Sequence, residues 1–245
     1  MLHDAFEAYL WLLRYENGRK GVSGAVRCID KKVGRSFMIG VIDYKAGNAP
    51  SVLNALKRIG AEGRMVKSGA DLEGLHGIIL PGVGSAEATI DSLTETHLLA
   101  ALKEKVLVEK IPFIGICIGM QILFEHSEEG DVDCLGWLKG HVVRFDSSRV
   151  RVPQMGWNEV RFCRRHPLLA DMGESGHFYY VNSYHVVPDD TADILAVTDY
   201  DGEFCCMVQH ENIMAAQFHI EKSGPLGLKL LQNFVNYAEG GNDQC

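Results

Sequence analysis

The stretch FIGICIGMQILF, residues 113–124, places a cysteine between two glycines directly after an apolar run. The pattern G-x-nucleophile-x-G after such a run is typical of a nucleophile elbow, where a strand turns sharply into a helix. Glycine is needed on both sides because the turn brings the backbones of strand and helix close together. A thiol at a helix N-terminus is favoured as the thiolate, which is the attacking species. The stretch therefore predicts that Cys117 is a nucleophile at the start of a helix over residues 118–127.

Strand-like and helix-like segments alternate around this elbow. Continuous apolar runs predict strands over residues 38–44, 77–84 and 111–116, and helical spacing predicts helices over 51–60 and 86–109. Such alternation indicates a parallel sheet with helices on both faces. Further along, the chain reads as consecutive strands, at 141–145, 157–162, 177–187, 193–200, 203–210 and 213–218, before a last helix over 224–239. The predicted fold class is α/β, a doubly wound, mostly parallel sheet with a mixed or antiparallel strand extension.

Composition narrows the class of protein. The chain has 245 residues, of which 47% are hydrophobic and 23% charged, as is ordinary for a soluble globular protein. Its net charge of −8 argues against binding to nucleic acid or to acidic membrane surfaces. The seven cysteines include no C-x-x-C pair, so we predict no metal site, no cofactor and no disulfide framework. A reducing cytoplasm fits best.

The first 37 residues differ from the remainder. They carry seven Lys/Arg and four Asp/Glu, a net charge of +3, which leaves −11 for the rest of the chain. A second methionine, Met38, opens the first clear strand. We therefore predict two parts: an N-terminal extension over 1–37, which an upstream start codon chosen in error would also produce, and one domain over 38–240. A basic arm with a partner of its own is the alternative for the extension.

A base for the cysteine is found in QFHIEKSG, residues 217–224. His219 follows an apolar run, and Glu221 lies two positions later, where an extended chain points both side chains the same way. The carboxylate can then orient the imidazole, as in a catalytic triad. H-x-E also occurs in zinc deaminases, but these need a P-C-x-x-C segment that the chain lacks. We predict a triad of Cys117, His219 and Glu221.

Acyl transfer also needs donors for the oxyanion. Two candidates are the amide of Ile118, directly after the nucleophile, and the glycine loop PGVG at 81–84. The loop follows a predicted strand, and the carboxyl ends of parallel strands meet at one edge of the sheet. A plain strand-to-helix turn has the same sequence pattern.

With these motifs in this order, the chain resembles the class-I (triad) glutamine amidotransferases. Seven segments in sequence are similar to the glutaminase subunits of imidazole glycerol phosphate synthase: IGVIDYKAGN, LPGVG, GICIGMQILFEHSEEG, CLGWLKGHVVRF, VPQMGWNEV, FYYVNSYHVVP and QFHIEKSG. The resemblance covers residues 38–237. It implies hydrolysis of glutamine to glutamate and ammonia through a thioester on Cys117.

The resemblance also implies binding residues. Glutamine would be held by Gln121, with Glu129 and either Ser183 or Tyr184 as further candidates. The peptide N–H of Gly82 or Val83 would join that of Ile118 in the oxyanion hole.

A partner is implied as well. It would be a (β/α)₈-barrel cyclase subunit in a heterodimer, which receives the ammonia through a channel and makes imidazole glycerol phosphate and aminoimidazole carboxamide ribonucleotide in histidine biosynthesis. Five positions match the family near that interface: Asn48, Met155, Trp157, Tyr179 and Lys222.

The chain departs from the family pattern at two positions near the site. Ile220 stands where proline is usual, and Asn182 where histidine is more common. Three alternatives stay open at this stage: a paralogous amidotransferase that supplies another synthase, such as a sugar-amidating one; a catalytically silent docking subunit; and a γ-glutamyl peptidase.

Overall fold

The computed structural model describes residues 37–44 and 48–240. Within these residues, thirteen strands form one sheet. The strands are β1 (Ile39–Ile42), β2 (Gly63–Val66), β3 (Gly77–Gly82), β4 (Phe113–Cys117), β5 (His126–Ser127), β6 (Val132–Asp133), β7 (Gly140–Arg144), β8 (Gln154–Phe162), β9 (Ser175–Asn182), β10 (Tyr184–Pro188), β11 (Ile194–Asp199), β12 (Glu203–His210) and β13 (Ile213–Ala216). The α-helices are α1 (Ala49–Arg58), α2 (Ala86–Glu95), α3 (Leu98–Lys103), α4 (Ile118–Gln121) and α5 (Gly224–Gly240).

One half of the sheet is parallel, in the order β2-β1-β3-β4-β13. Every residue of β1, β3, β4 and β13 is buried. Parallel strands read as continuous apolar runs because helices cover both of their faces. The parallel α/β half predicted from the sequence is confirmed.

Two hydrophobic cores lie on the two faces of this half. Ile79 of β3 packs in one core with Leu56 of α1 and Phe234 of α5. The next residue of the strand, Leu80, packs in the other core with Leu93 of α2. Successive side chains of a strand point to opposite faces, so this division places helices on both sides of the sheet, as predicted.

The other half of the sheet is mostly antiparallel, with one parallel pair between β5 and β7. β12 pairs with β13 and leads to two branches, one through β10 and β7, the other through β11, β8 and β9. The predicted antiparallel extension is therefore confirmed. The predicted single strand over 177–187 is broken at Ser183, because β9 pairs with β8 while β10 pairs with β7 and β12. A change of partner strand cannot be read from hydrophobic periodicity.

The prediction of one helix over 86–109 is wrong. α2 ends at Glu95, and the hydroxyl of the following Thr96 donates to the Ser92 carbonyl at 2.7 Å and so competes with the helical hydrogen bonds. His97 then adopts a left-handed conformation with φ of 55° before α3 begins. After α3, residues Glu104–Val108 form a π-helical turn.

The helix predicted over 118–127 is also wrong, since α4 comprises four residues only. The carbonyls of the next residues accept hydrogen bonds from the segment 135–137 instead. The amide of Leu135 donates to Ile122 at 2.9 Å. The amides of Trp137 and Gly136 donate to Leu123 and Phe124, respectively, at 2.8 Å. These tertiary bonds replace the bonds that would extend the helix.

The predicted N-terminal extension lies outside the described residues except for Phe37, whose ring centroid is 4.9 Å from that of His76. Among the described helices, none has the length and apolar character to cross a membrane.

Candidate active site

Cys117 is the last residue of β4 and precedes α4 directly. Its φ of 57° and ψ of −111° lie in a sparsely populated region for a residue with a side chain, which indicates local strain held by the surrounding fold. The two flanking glycines make this turn possible. A Cβ on Gly115 would lie 2.2 Å from the carbonyl oxygen of Gly119, and one on Gly119 would lie 2.2 Å from that of Leu80 in β3. The elbow predicted from the sequence is therefore present, with its glycines needed for close backbone approach.

The short α4 changes one part of the sequence argument. A four-residue helix offers a few free N–H groups at its start but no long row of aligned peptide dipoles. The thiol has other neighbours. Gln217 Nε2 lies 3.7 Å from the sulfur, and the sulfur lies 3.9 Å from the carbonyl oxygen of Val181.

His219 and Glu221 are brought to this thiol by the loop after β13. Nδ1 of His219 lies 3.0 Å from Oε1 of Glu221, and His219 and Cys117 line the same cavity. Asn48 Nδ2 donates to the same carboxylate oxygen at 3.1 Å. The chain there is not extended, as the sequence argument assumed: Ile220–Lys222 form a 3₁₀ turn, and the turn itself brings the two side chains together.

The protonation states follow from these contacts. Burial lowers the pKa of His219, but the neighbouring thiol of Cys117 and carboxylate of Glu221 outweigh it and raise the pKa to about 9. For Glu221 burial acts to raise the pKa, and the hydrogen bond and charge of His219 outweigh it, so that the pKa lies below its ordinary value. The two side chains are 4% and 2% exposed. At neutral pH they form a buried imidazolium–carboxylate pair, in which the imidazolium holds a proton beside the sulfur.

The predicted oxyanion donors surround the same sulfur. Gly82 lies opposite Cys117 in the parallel pairing of β3 and β4. Val83 and Ile118 line the cavity that contains the thiol. The hydroxyl of Tyr44 lies close to Gly82: a Cβ added to that glycine would be 2.8 Å from it. Burial raises the pKa of Tyr44 to about 12. The hydroxyl is therefore neutral at physiological pH.

The cavity beside Cys117 has a volume of about 330 Å³. All four predicted glutamine-binding residues line it: Gln121, Glu129, Ser183 and Tyr184. A larger open cleft of about 1240 Å³ lies against residues 158–175 and 197–203. None of the predicted site residues lines that cleft.

Glu129 and Gln121 are held by specific contacts. Glu129 Oε2 accepts the N–H of Ala86 at the start of α2, at 3.0 Å, and burial raises the pKa of this carboxyl. Gln121 Nε2 donates to the Tyr184 carbonyl at 3.0 Å and to Gln217 Oε1 at 2.9 Å.

The predicted interface residues divide into two groups. Met155 and Trp157 on β8 are 66% and 57% exposed, and Trp157 forms an edge-to-face contact with Tyr179 on β9. Val181 lies two residues after Tyr179 on the same face of the β8–β9 pair and lines the cavity. The exposed Lys222 lines the cavity as well. Asn48 differs: its side chain contacts Glu221, which makes it part of the hydrogen-bonded chain behind the imidazole.

Sequence reasoning gave no role to Gln217 and Gln154, two buried amide side chains at the site, and noted the buried Asn182 only as a departure from the family pattern. Gln217 contacts both the thiol and Gln121. Its place two residues before His219, in the same segment QFHIEKSG, could have indicated that it lies near the site. Gln154 and Asn182 face each other across β8 and β9. Both Gln154 side-chain atoms and Asn182 Oδ1 are buried without a hydrogen-bond partner among the described residues. Cross-strand pairing, which sequence spacing does not give, is what places them there.

Comparison with known proteins gives a consistent result. The family described as Glutamine amidotransferase class-I matches residues 40–237. A protein of Leptospira borgpetersenii named "Imidazole glycerol phosphate synthase subunit HisH" is 39% identical over 203 residues, which are 81% of this chain and 100% of that protein. "Imidazole glycerol phosphate synthase subunit HisH 2" of Pseudomonas aeruginosa is 43% identical over 199 residues, 81% of this chain and 98% of the relative.

Solved structures agree on the fold. The structure of PurLQS from Thermotoga maritima superposes with a TM-score of 0.66 at 20% sequence identity, over 82% of this chain and 99% of the other.

Proposed function

The chain belongs to the class-I glutamine amidotransferase family, and from this premise we propose that Cys117, His219 and Glu221 hydrolyse glutamine to glutamate and ammonia. The observation that carries the proposal is that the thiol of Cys117 and the imidazole of His219 line one cavity, with the imidazole hydrogen-bonded to the carboxylate of Glu221. A nucleophile, a proton carrier and a group that orients the carrier are the three parts that acyl transfer requires.

The reaction begins with the Cys117 sulfur, which attacks the side-chain amide carbon of glutamine. The carbonyl oxygen takes up the negative charge and is stabilised by the N–H of Ile118 together with that of Gly82 or Val83. The imidazolium of His219 gives its proton to the departing nitrogen, so that ammonia leaves and a glutamyl thioester remains. The neutral imidazole then removes a proton from water, which attacks the thioester and releases glutamate.

Glutamine recognition is assigned to the lining of the cavity. Glu129 carries a carboxylate that can pair with the α-ammonium group of the substrate, and an ammonium ion there would favour its ionised form. Gln121 and the backbone around Ser183 and Tyr184 add polar contacts. The cavity of about 330 Å³ is large enough to hold a single amino acid.

The ammonia acceptor is proposed from the relatives. Those at 39–43% identity are named subunits of imidazole glycerol phosphate synthase, so we assign this chain to the same enzyme of histidine biosynthesis, with a (β/α)₈-barrel cyclase as its partner subunit. The exposed Met155 and Trp157 beside the cavity support a docking face there, because aromatic and methionine side chains are enriched in interfaces. Lys222 lines the cavity, and Tyr179 contacts Trp157. We expect the complex in the cytoplasm, where the thiol stays reduced.

The test measures glutamate release from glutamine by the full chain, alone and with a cyclase subunit plus its nucleotide ligand. The proposal predicts slow release alone, faster release in the complex, and formation of imidazole glycerol phosphate with glutamine as nitrogen source. Glutamate release without imidazole glycerol phosphate formation would reassign the acceptor to another synthase. No glutamate release under either condition would contradict the glutaminase proposal.

A further inference from the structure

Gln217 occupies a fully buried position behind the nucleophile. It follows β13, is 0% exposed, and its Nε2 lies 3.7 Å from the sulfur of Cys117. Its Oε1 accepts a hydrogen bond from Gln121 Nε2 at 2.9 Å. The mechanism above uses Cys117 and Gln121 but gives no task to the residue that joins them.

The orientation of both amides is fixed by one acceptor. The backbone carbonyl of Tyr184 can only accept, so the group of Gln121 that lies 3.0 Å from it is the nitrogen. The same nitrogen contacts Gln217, so Gln217 must present its oxygen to Gln121 and its nitrogen to the sulfur. Both N–H bonds of Gln121 are then used, and its Oε1 is the atom that this side chain can offer to a substrate.

The contacts of the sulfur have opposite effects on its charge. An N–H donor favours the anionic sulfur, whereas the carbonyl oxygen of Val181, 3.9 Å away, favours the protonated thiol. The amide of Gln217, which is fully buried, therefore opposes the carbonyl of Val181.

We propose that Gln217 is a further residue of the catalytic machinery, which stabilises the anionic sulfur through its N–H and fixes Gln121 with its oxygen towards the substrate. This inference rests on the proposed role of Cys117 as nucleophile. It deepens that role by naming the group, besides the imidazole, that keeps the sulfur reactive.

The experiment follows alkylation of Cys117 by iodoacetamide as a function of pH in the full chain, with the Cys117 peptide quantified by mass spectrometry. Gln217→Met keeps the size of the side chain and removes both contacts. Gln217→Glu keeps an oxygen towards Gln121 and replaces the donor to the sulfur by a second oxygen. We expect the pH midpoint of alkylation to rise by about half a unit to one unit in Gln217→Met and by at least as much in Gln217→Glu.

The matched control is Asn233→Leu in α5. Asn233 is also buried, with its amide donating to the carbonyls of Leu168 and Ala170 at 3.0 and 2.8 Å, away from the thiol. We expect this variant to lower the melting temperature without a change in the alkylation midpoint. An unchanged midpoint in the Gln217 variants, with a melting temperature lowered as in the control, would show a structural role and overturn the proposal.

Two further readouts complete the test. Because Gln121 is also released, Gln217→Met should raise KM for glutamine as well as lower kcat, by about 10-fold each. If neither variant folds, ¹⁵N-labelled wild-type protein decides: the side-chain N–H signal of Gln217 must shift when Cys117 is alkylated, and an unmoved signal overturns the proposal. The alkylation assay needs no glutamine, so it tests Gln217 independently of the proposed function. If the proposed function is wrong, the wild-type protein releases no glutamate; if only this inference is wrong, glutamate is released but the alkylation midpoint does not move.

Discussion

The two halves of the sheet contribute to the site in different ways. β3 and β4 are buried on both faces and bring backbones within contact, so their glycines and the strained Cys117 have little freedom to vary. The β8–β9 ribbon has one exposed face, with Met155 and Trp157 in solvent. The cavity lies where the halves meet: Cys117 and His219 come from the first, Val181 and Asn182 from the second. The proposed catalytic residues therefore stand where backbones pack closely, whereas the proposed docking residues stand on an exposed face.

The comparison predicts its largest effect at Gly119. Gly119→Ala places a methyl group 2.2 Å from the backbone oxygen of Leu80, which cannot move without displacing β3. We expect a loss of more than about 4 kcal/mol in the free energy of unfolding, measured by urea denaturation. The control is Gly156→Ala on the ribbon, where a Cβ meets nothing within 4 Å and only the φ of +135° costs stability. Equal losses in the two variants would remove the distinction between the halves.

The second effect concerns the buried carboxylate. Glu221→Gln removes the charge that favours the imidazolium form of His219, so we expect kcat for glutamine to fall about 10²-fold. Asn48→Ala, which removes one donor to the carboxylate and leaves the pair intact, should have a smaller effect. Steady-state glutamate release measures both variants. An undiminished kcat in Glu221→Gln would remove Glu221 from the mechanism.

The third effect belongs to the open face. Trp157→Ala should weaken binding of the cyclase subunit about 10- to 30-fold, because central aromatic anchors carry much of the energy of an interface. Calorimetric titration with the subunit measures it. Val108→Ala is the control, since Val108 is 65% exposed but lies before the amino end of β4, away from the cavity. If the control weakened binding as much as Trp157→Ala, the docking face would be wrongly placed.

The smallest effect is a pH dependence of stability. The raised pKa of His219, about 9 against an ordinary 6.5, means that the folded state keeps a proton that the unfolded state releases between these values. Its contribution is complete below pH 6.5 and is lost as the pH rises through 9. We expect the free energy of unfolding to fall as the pH rises over this range. His219→Asn should remove this dependence of the free energy of unfolding on pH. His177→Gln, at an exposed position of β9, should leave the dependence unchanged.

The sequence was sufficient for the parts of the molecule that depend on local pattern. The apolar runs predicted β3 and β4, and G-x-C-x-G predicted the elbow, because burial on both faces and close backbone approach restrict which residues can stand there. The H-x-E spacing predicted the pair of His219 and Glu221, although a 3₁₀ turn and not an extended chain brings them together.

Long-range contacts account for what the sequence did not predict. The helix after Cys117 stops after four residues because residues 135–137 take its next carbonyls. Gln217 reaches the sulfur from a position 100 residues away in the chain, and the buried amides of Gln154 and Asn182 meet through strand pairing. None of these contacts leaves a periodic signal in the sequence.

The most direct test of the account is Cys117→Ala in complex with the cyclase subunit, assayed for imidazole glycerol phosphate with glutamine and, separately, with ammonium salt. If Cys117 is the nucleophile, glutamine-dependent synthesis falls by roughly 10⁴-fold, while ammonia-dependent synthesis persists at the rate of the wild-type complex. If both activities fell together, Cys117 would be a structural residue, and the proposed nucleophile would be wrong.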